Sequence, residues 1–314
     1  MKQKETIRIG SRGSRLALWQ AEYISQCLAT VGLSSEIIVI NTKGDKILDR
    51  SLSKIGSKGL FTAELEEALI DGHIHIAVHS AKDMSTSLPD ELEVISYTER
   101  ELVNDALVSH KDLTLDTPGI VIGTSSTRRV ALLRHYYPHV RIVDMRGNLQ
   151  TRVKKMEEGA CDALLLAYAG AHRMDFGPLI KQKISTEQFI PAVGQGTLAI
   201  EASKQLDPVL RSKIVEATSN KEAELQTQAE TTYLRLINGG CSIPVFALAE
   251  IYDEKLKISG GIVSLDGKTI IKDSIIGPKQ DAREIGRQLF DSIKGKGGLE
   301  ILTNIKRDQN EKNN

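Results

Sequence analysis

Ile120-Val121-Ile122 runs into Gly123-Thr124-Ser125-Ser126-Thr127-Arg128-Arg129, and Arg141-Ile142-Val143 runs into Asp144-Met145-Arg146-Gly147-Asn148, with Arg152 shortly after. Each passage reads as an apolar strand, a short turn bearing Gly and hydroxyl or amide side chains, and a helix start. In open α/β sheets such turns lie at strand carboxyl ends, where ligands bind. Helix N-termini offer unpaired N–H groups at a positive dipole end, and Ser, Thr and Asn add caps or hydrogen bonds to an anion. Arginine adds a planar fork that matches a carboxylate. Two such turns in tandem outline a receptor for several anionic groups; a helix cap beside a solvated basic face is the plainer alternative.

The same rhythm extends toward the amino terminus. Strand patterns at Ile7–Ile9, Ile37–Ile40 and Ile74–Val78 alternate with helical patterns at Leu16–Leu28 and Phe61–Ile70, predicting a parallel α/β unit. Leu92–Tyr97 and Ala106–Val108 bridge to the tandem turns, and Asp162–Leu166 continues a second α/β unit. Ile190-Pro191-Ala192-Val193-Gly194-Gln195-Gly196 is rich in turn residues and reads as a crossing between units. A charged helix pattern from Asn220 to about Ile237 precedes strands at Val245–Ile251, Lys255–Val263 and Thr269–Ile276, then a helix from Asp281 to about Ile293. This last third reads as a separate α+β domain, with Asp308 to Asn314 a frayed polar tail.

The chain has 314 residues, enough for two or three domains, and is 40% hydrophobic and 26% charged, as in ordinary globular proteins. Lys plus Arg and Asp plus Glu each number 41, so no overall charge draws the protein to nucleic acid or anionic lipid. The longest apolar stretch, around Ala163 to Ala171, is too short to span a bilayer, and the amino terminus lacks the apolar core of a signal peptide, which predicts a cytoplasmic protein. Cys27, Cys161 and Cys241 form neither a disulfide framework nor a C-x-x-C motif.

Chemistry concentrates at a few places. His79-Ser80-Ala81-Lys82-Asp83 ends a strand and delivers a carboxylate and an ammonium suited to proton transfer and charge stabilisation; an exposed helix-capping pair is the alternative. His73, His75 and His79 alternate along that strand, but no nearby ligand completes a metal set. Thr42 to Gly59, with Gly44, Gly56, Gly59, Lys43, Lys46, Lys54 and Lys58, reads as a mobile basic loop, a lid over an anion or a solvated connection. It lacks the Walker spacing. Cys241 lies in Asn238-Gly239-Gly240-Cys241-Ser242-Ile243-Pro244, where two glycines and a proline present a thiol on a loop, whereas Cys27 and Cys161 read as structural.

Gly10-Ser11-Arg12-Gly13-Ser14 with Leu16-Ala17 and Gln20, Lys58-Gly59-Leu60-Phe61, Val78-His79-Ser80-Ala81-Lys82-Asp83, and Gly123-Thr124-Ser125-Ser126 with Arg128-Arg129 continue into Arg146-Gly147-Asn148 with Thr151-Arg152, Pro191-Ala192-Val193-Gly194-Gln195-Gly196 and Gly239-Gly240-Cys241. Together these stretches resemble the porphobilinogen deaminase (hydroxymethylbilane synthase) family, in its order and spacing, from about residue 6 to residue 246. The resemblance implies a transferase of tetrapyrrole and haem biosynthesis that joins porphobilinogen molecules head to tail with loss of ammonia, giving hydroxymethylbilane. It implies a dipyrromethane cofactor held by a thioether to Cys241, and no metal. It also implies two α/β domains similar to class II periplasmic binding proteins and a third α+β domain: residues 1–98 with 197–217, then 99–196, then 218–314.

Every pyrrole of such a ligand carries an acetate and a propionate, and a like-charge pair near 4 Å costs about 4 kcal/mol at an effective dielectric of 20, so several cations are required. The resemblance assigns Arg12, Ser14, Arg128, Arg129, Arg146 and Arg152 to these carboxylates, with Thr124, Ser125, Ser126, Lys82 and Arg173 in support, and marks Gln20, Lys54, Lys58, Phe61 and Gln195 as further site residues. Asp83 is implied as the catalytic carboxylate, holding pyrrole N–H groups and shuttling protons beside Lys82. Two departures stand out: Asn238 where the family usually has Glu, and Met84-Ser85 where proline commonly follows Lys-Asp. They predict altered loop dynamics with activity retained. The competing class is a non-catalytic polycarboxylate-binding protein with an unmodified Cys241; a nucleic-acid module is weaker, since no stacking aromatics punctuate the basic turns. A monomer acting on a small-molecule substrate is expected.

Overall fold

The computed structural model describes residues 6–46, 62–240 and 242–311. Lys54, Lys58, Phe61, Cys241 and most of the Thr42–Gly59 segment therefore lie outside the described residues. The chain forms two compact units. One takes the described residues up to Glu101 together with Gly196–Glu224; the other takes Leu102–Gln195 and the described residues from Leu225 onward.

In the first unit, β1 (Ile7–Ser11), β2 (Ser35–Val39), β3 (Ile76–Ser80), β4 (Leu92–Tyr97) and β10 (Leu198–Ser203) form one sheet in the order β2-β1-β3-β10-β4. β1 runs parallel to both β2 and β3, while β10 is antiparallel to β3 and β4. The sheet is thus mixed rather than the wholly parallel one expected, because its fourth strand returns from beyond the Ile190–Gly196 crossing. Ile7, Ile9, Ile76 and Ile200 are fully buried against α1 (Arg15–Thr30), whose Ala21, Ile24 and Leu28 recur at helical spacing on one face. The opposite face packs Leu65 and Leu69 of the helix Ala63–Ile70 on Ala77 and Leu92. Gly10 lets Ile74 pack close: a Cβ there would lie 2.3 Å from Ile74 Cδ1, so that side chain would have to shift. The third strand begins two residues later than its apolar run suggests, so His73 and His75 precede it and only His79 lies within it.

In the second unit, β5 (Asp105–Val108), β6 (Val121–Gly123), β7 (Arg141–Val143), β8 (Ala163–Ala167) and β9 (Ile180–Lys183) order as β7-β6-β8-β5-β9. Three parallel strands are again followed by an antiparallel one, β5, that enters from a crossing, and then by a last strand. The two five-stranded sheets therefore share one plan. β11 (Val245–Tyr252), β12 (Lys255–Val263) and β13 (Ile270–Pro278) form a separate antiparallel meander backed by helices, with Tyr233, Ile258, Leu289 and Ile305 in its core. Phe246, Leu248 and Val263 of the meander join the core of the second sheet beside Leu107, Ile122 and Phe189. The fold is α/β with two like sheets and a smaller third one. Of the expected frayed tail, Asp308–Glu311 instead continue a helix begun at Gly298, whose Ile301, Leu302 and Ile305 dock into the core under the meander; residues 312–314 lie outside the described residues. No helix among the described residues is long and apolar enough to cross a membrane.

Candidate active site

Because β1 and β3 are parallel neighbours, pairing Ile9 with Ile76 and Gly10 with Ala77, their carboxyl ends emerge side by side. β1 leads into Arg12-Gly13-Ser14, and Ser14 caps α1, accepting from the Ala17 N–H at 3.3 Å. β3 leads into a single turn of 3-10 helix, Ala81–Asp83. A pocket forms between these ends, lined among others by Arg12, Ser14, Gln20, Ser80 and Asp83, with His79 and Thr62. Gln20 is buried and donates through Nε2 to Ser80 Oγ at 2.9 Å. Asp83 is exposed at the pocket edge, and Lys82 is half-buried next to it. The structure thus brings Arg12, Ser14, Gln20 and Asp83 to one pocket.

Two residues that sequence reasoning did not pair lie beside it. His79 Nε2 is 3.0 Å from the Glu201 carboxylate, and both side chains are buried. β10 runs antiparallel to β3 with Ala199 opposite His79, which sets Glu201 on the diagonal of the same sheet face. A lone Glu inside the apolar run Leu198–Ser203 was the signal in the sequence.

The tandem turns of the second unit are laced together. The Thr124 N–H donates to Val143 O at 3.0 Å, and Ser125 Oγ both donates to Met145 O at 2.7 Å and accepts from the Met145 N–H at 3.0 Å. Ser126 caps the helix Thr127–Tyr136, and Asn148 caps the helix Leu149–Glu157 by accepting from the Thr151 N–H at 2.9 Å. Arg146 Nε donates to Asp144 Oδ2 at 2.9 Å, and Arg152 Nε to Gly147 O at 2.7 Å. Burial opposes ionisation of Asp144, yet hydrogen bonds with Ser125 and Arg146 and the charges of Arg146 and Arg152 hold its carboxyl below the usual range. Arg146, Arg152, Thr124, Ser125 and Ser126 are therefore neighbours. Arg173 ends a different, short helix, Tyr168–Arg173, and is half-buried.

Arg128 and Arg129 point inward. Both meet the fully buried Asp105, Arg128 Nη1 at 2.9 Å and Arg129 Nη2 at 2.8 Å, while Gln195 Nε2 approaches the same carboxylate at 3.1 Å. Burial disfavours the Asp105 anion, but the charges of Arg128 and Arg129 and their hydrogen bonds outweigh it and hold this carboxyl far below its ordinary value. Asp105 escaped sequence reasoning; its signal was a charge heading an otherwise apolar strand.

A pocket at strand carboxyl ends with a carboxylate at its edge, and a pair of capped, arginine-bearing turns elsewhere in the same chain, define an α/β protein equipped to receive a polyanionic small molecule. Residues 7–211 match the family model "Porphobilinogen deaminase, dipyromethane cofactor binding domain", and residues 225–295 match "Porphobilinogen deaminase, C-terminal domain". The chain belongs to the porphobilinogen deaminase family, whose members polymerise porphobilinogen into hydroxymethylbilane in tetrapyrrole biosynthesis. It is 56% identical to the porphobilinogen deaminase of Cytophaga hutchinsonii over 305 residues, covering 96% of this chain and 98% of that one. It is 48% identical to that of Desulfosudis oleivorans over 306 residues, covering 96% and 99%. Superposition on the nutrient binding protein from Burkholderia cenocepacia bound to methionine covers 69% of this chain and 93% of that one, with a TM-score of 0.42 at 14% identity.

Proposed function

We propose that this chain joins porphobilinogen units head to tail, using Asp83 as its catalytic carboxylate and the arginine-bearing turns of the second unit as receivers for the carboxylates of cofactor and growing product. The observation that carries the proposal is the convergence of Arg12, Ser14, Gln20 and Asp83 on one pocket at the ends of two parallel strands.

The donor set of the second unit suits a dipyrromethane, whose acetates and propionates call for cations and helix N-termini. Thr124, Ser125 and Ser126 surround one capped turn, Asn148 caps the other, and Arg146 and Arg152 both bear on Asp144. Those residues, with Arg128, Arg129 and Arg173, would hold the group. Bound through a thioether to Cys241, it supplies the free pyrrole α-carbon at which polymerisation begins. A thiol of ordinary pKa near 8.5 needs only modest activation for that attachment.

Asp83 accepts hydrogen bonds from pyrrole N–H groups, stabilises positive charge as the substrate loses ammonia, and takes the proton released when the new carbon–carbon bond forms. Lys82, Arg12 and Ser14 receive substrate carboxylates, and Gln20 holds the pocket wall. Lys54, Lys58, Phe61 and Gln195 are further residues proposed to serve substrate or cofactor. The division into 1–98 with 197–217, 99–196 and 218–314, a cytoplasmic location, a monomeric state and independence of nucleic acid and membranes complete the proposal; the equal count of 41 acidic and 41 basic residues supports the last point.

The test is an intact mass of the purified protein with peptide mapping of Cys241. A covalent adduct of two pyrrole units there is expected. A bare, unmodified Cys241 in protein that stays inactive after porphobilinogen is supplied would overturn the proposal in favour of a reversible polycarboxylate-binding protein.

A further inference from the structure

Arg128 and Arg129 occupy the first turn of the helix Thr127–Tyr136, at the positive end of its dipole and almost wholly out of solvent, at 5% and 6% exposure. Physical chemistry disfavours that placement twice, since cations belong at helix carboxyl ends and burial strips their hydration. Asp105 answers it in part. It is fully buried at the head of β5, between strands β8 and β9, and it takes Arg129 through both Nε at 3.1 Å and Nη2 at 2.8 Å. It takes Arg128 through Nη1 and Nη2, while Arg128 Nη1 also donates to Ile190 O at 3.0 Å and Arg129 Nη1 to Leu165 O at 3.0 Å. Among the described residues Asp105 is the one carboxylate ion-paired with either arginine. Two buried guanidinium charges thus face a single carboxylate charge, so the cluster holds one surplus positive charge beside a helix N-terminus.

We propose that Asp105 is a positioning residue for carboxylate recognition: it locks the forks of Arg128 and Arg129 in place and cancels just one of their two charges, leaving one to be met by a single ligand carboxylate. This rests on the reading that the two arginines serve the bound pyrrole chain. A cluster serving the fold alone would gain nothing from the uncancelled charge, whereas a fully cancelled cluster would have no attraction left for an anion. The geometry also explains why Gln195, in the Ile190–Gly196 crossing, reaches the same carboxylate: it donates to Asp105 Oδ1 at 3.1 Å and to Val103 O at 2.7 Å, bracing the head of β5 on which Asp105 sits.

The test is a double-mutant cycle on the holoenzyme with porphobilinogen as substrate, comparing Asp105→Asn, Arg129→Gln and the two combined, with melting temperatures measured alongside. Asp105→Asn is expected to raise KM at least tenfold while kcat changes less than threefold. The combined variant is expected to be no worse than the poorer single one, because both changes undo one arrangement. A folded Asp105→Asn with unchanged KM beside an impaired Arg129→Gln would overturn the positioning role, as would fully additive losses. An Arg129→Gln enzyme with normal kinetics would overturn instead the underlying reading that these arginines serve the ligand. If Asp105→Asn does not fold, Asp105→Glu decides: it keeps the charge and displaces the forks by one methylene. A tenfold rise in KM supports the proposal, and a normal KM overturns it.

Discussion

Gln20 Nε2 donates to Ser80 Oγ at 2.9 Å, tying the second turn of the helix after β1 to the last residue of β3. Gln20 is 4% exposed, so this bond is sheltered from water and fixes the spacing of the two strand ends that frame the pocket. Arg12 and Asp83 leave the sheet from those ends, and their placement follows from this brace and from the parallel register of β1 and β3.

Asp83 is exposed, so Asp83→Asn is expected to leave the melting temperature essentially unchanged and the cofactor attached while lowering kcat by about 100-fold or more. Steady-state production of hydroxymethylbilane checks it; near-normal turnover would remove Asp83 from the mechanism.

Arg146→Ala and Arg152→Ala each delete a cation from the turn around Asp144. A charge-assisted hydrogen bond contributes roughly 1.5–3 kcal/mol, so each variant should lose roughly 10- to 100-fold in kcat/KM or stall in cofactor assembly. Mass spectrometry of the enzyme-bound pyrrole chain separates the two outcomes, and normal elongation in both variants would contradict the carboxylate site.

Asn238 adopts a φ of +51° just beyond the helix Lys221–Leu236, where Asn is far better tolerated than most side chains. The departure from the family's Glu therefore suits the backbone. Asn238→Glu should destabilise by about 1 kcal/mol and Asn238→Gly by far less, both with activity retained; denaturant melts rank them.

Gly196 has a φ of +98°, and a Cβ there would lie 2.5 Å from Glu101 O. Backbone cannot yield as a flexible side chain does, so Gly196→Ala should cost about 2 kcal/mol or more, read as a lowered melting temperature.

Asp273 is paired with Lys296 at 2.8 Å and hydrogen-bonded by Ser292, and these contacts bring its pKa down to about 2. The folded value lies below the unfolded value near ~3.9, so the contribution is present above about pH 4 and lost as pH falls toward 2. Lys296 is half exposed, which screens the pair to about 1 kcal/mol. Asp273→Asn should destabilise by that amount at pH 7 and by only a small fraction of it at pH 2, where the folded carboxyl is half protonated, a difference that parallel urea titrations measure.

Much of this was legible in the chain because the signals are local. The alternating runs named eleven of the thirteen described strands to within a residue or two, missing Ile180–Lys183 and Leu198–Ser203; the Gly-Thr-Ser-Ser and Gly-Asn turns announced their helix caps, and the ordered motifs carried the family. Gln20 and Asp83 were each conspicuous, although the bond from Gln20 to Ser80 was not, since 60 residues separate them.

What the sequence determined by itself was periodicity, capping and the kinds of charge at each turn, all of which act within a few residues. Which charges meet depends instead on how distant strands assemble. Arg128 and Arg129 read as anion receivers, and nothing local announced that the sheet order β8-β5-β9 carries Asp105 beneath their helix to meet both of them. Likewise the antiparallel return of β10 brings Glu201 to His79. Helix and strand formation is governed by near neighbours, whereas partners for buried charges are set by strand order and register, which depend on the whole chain at once.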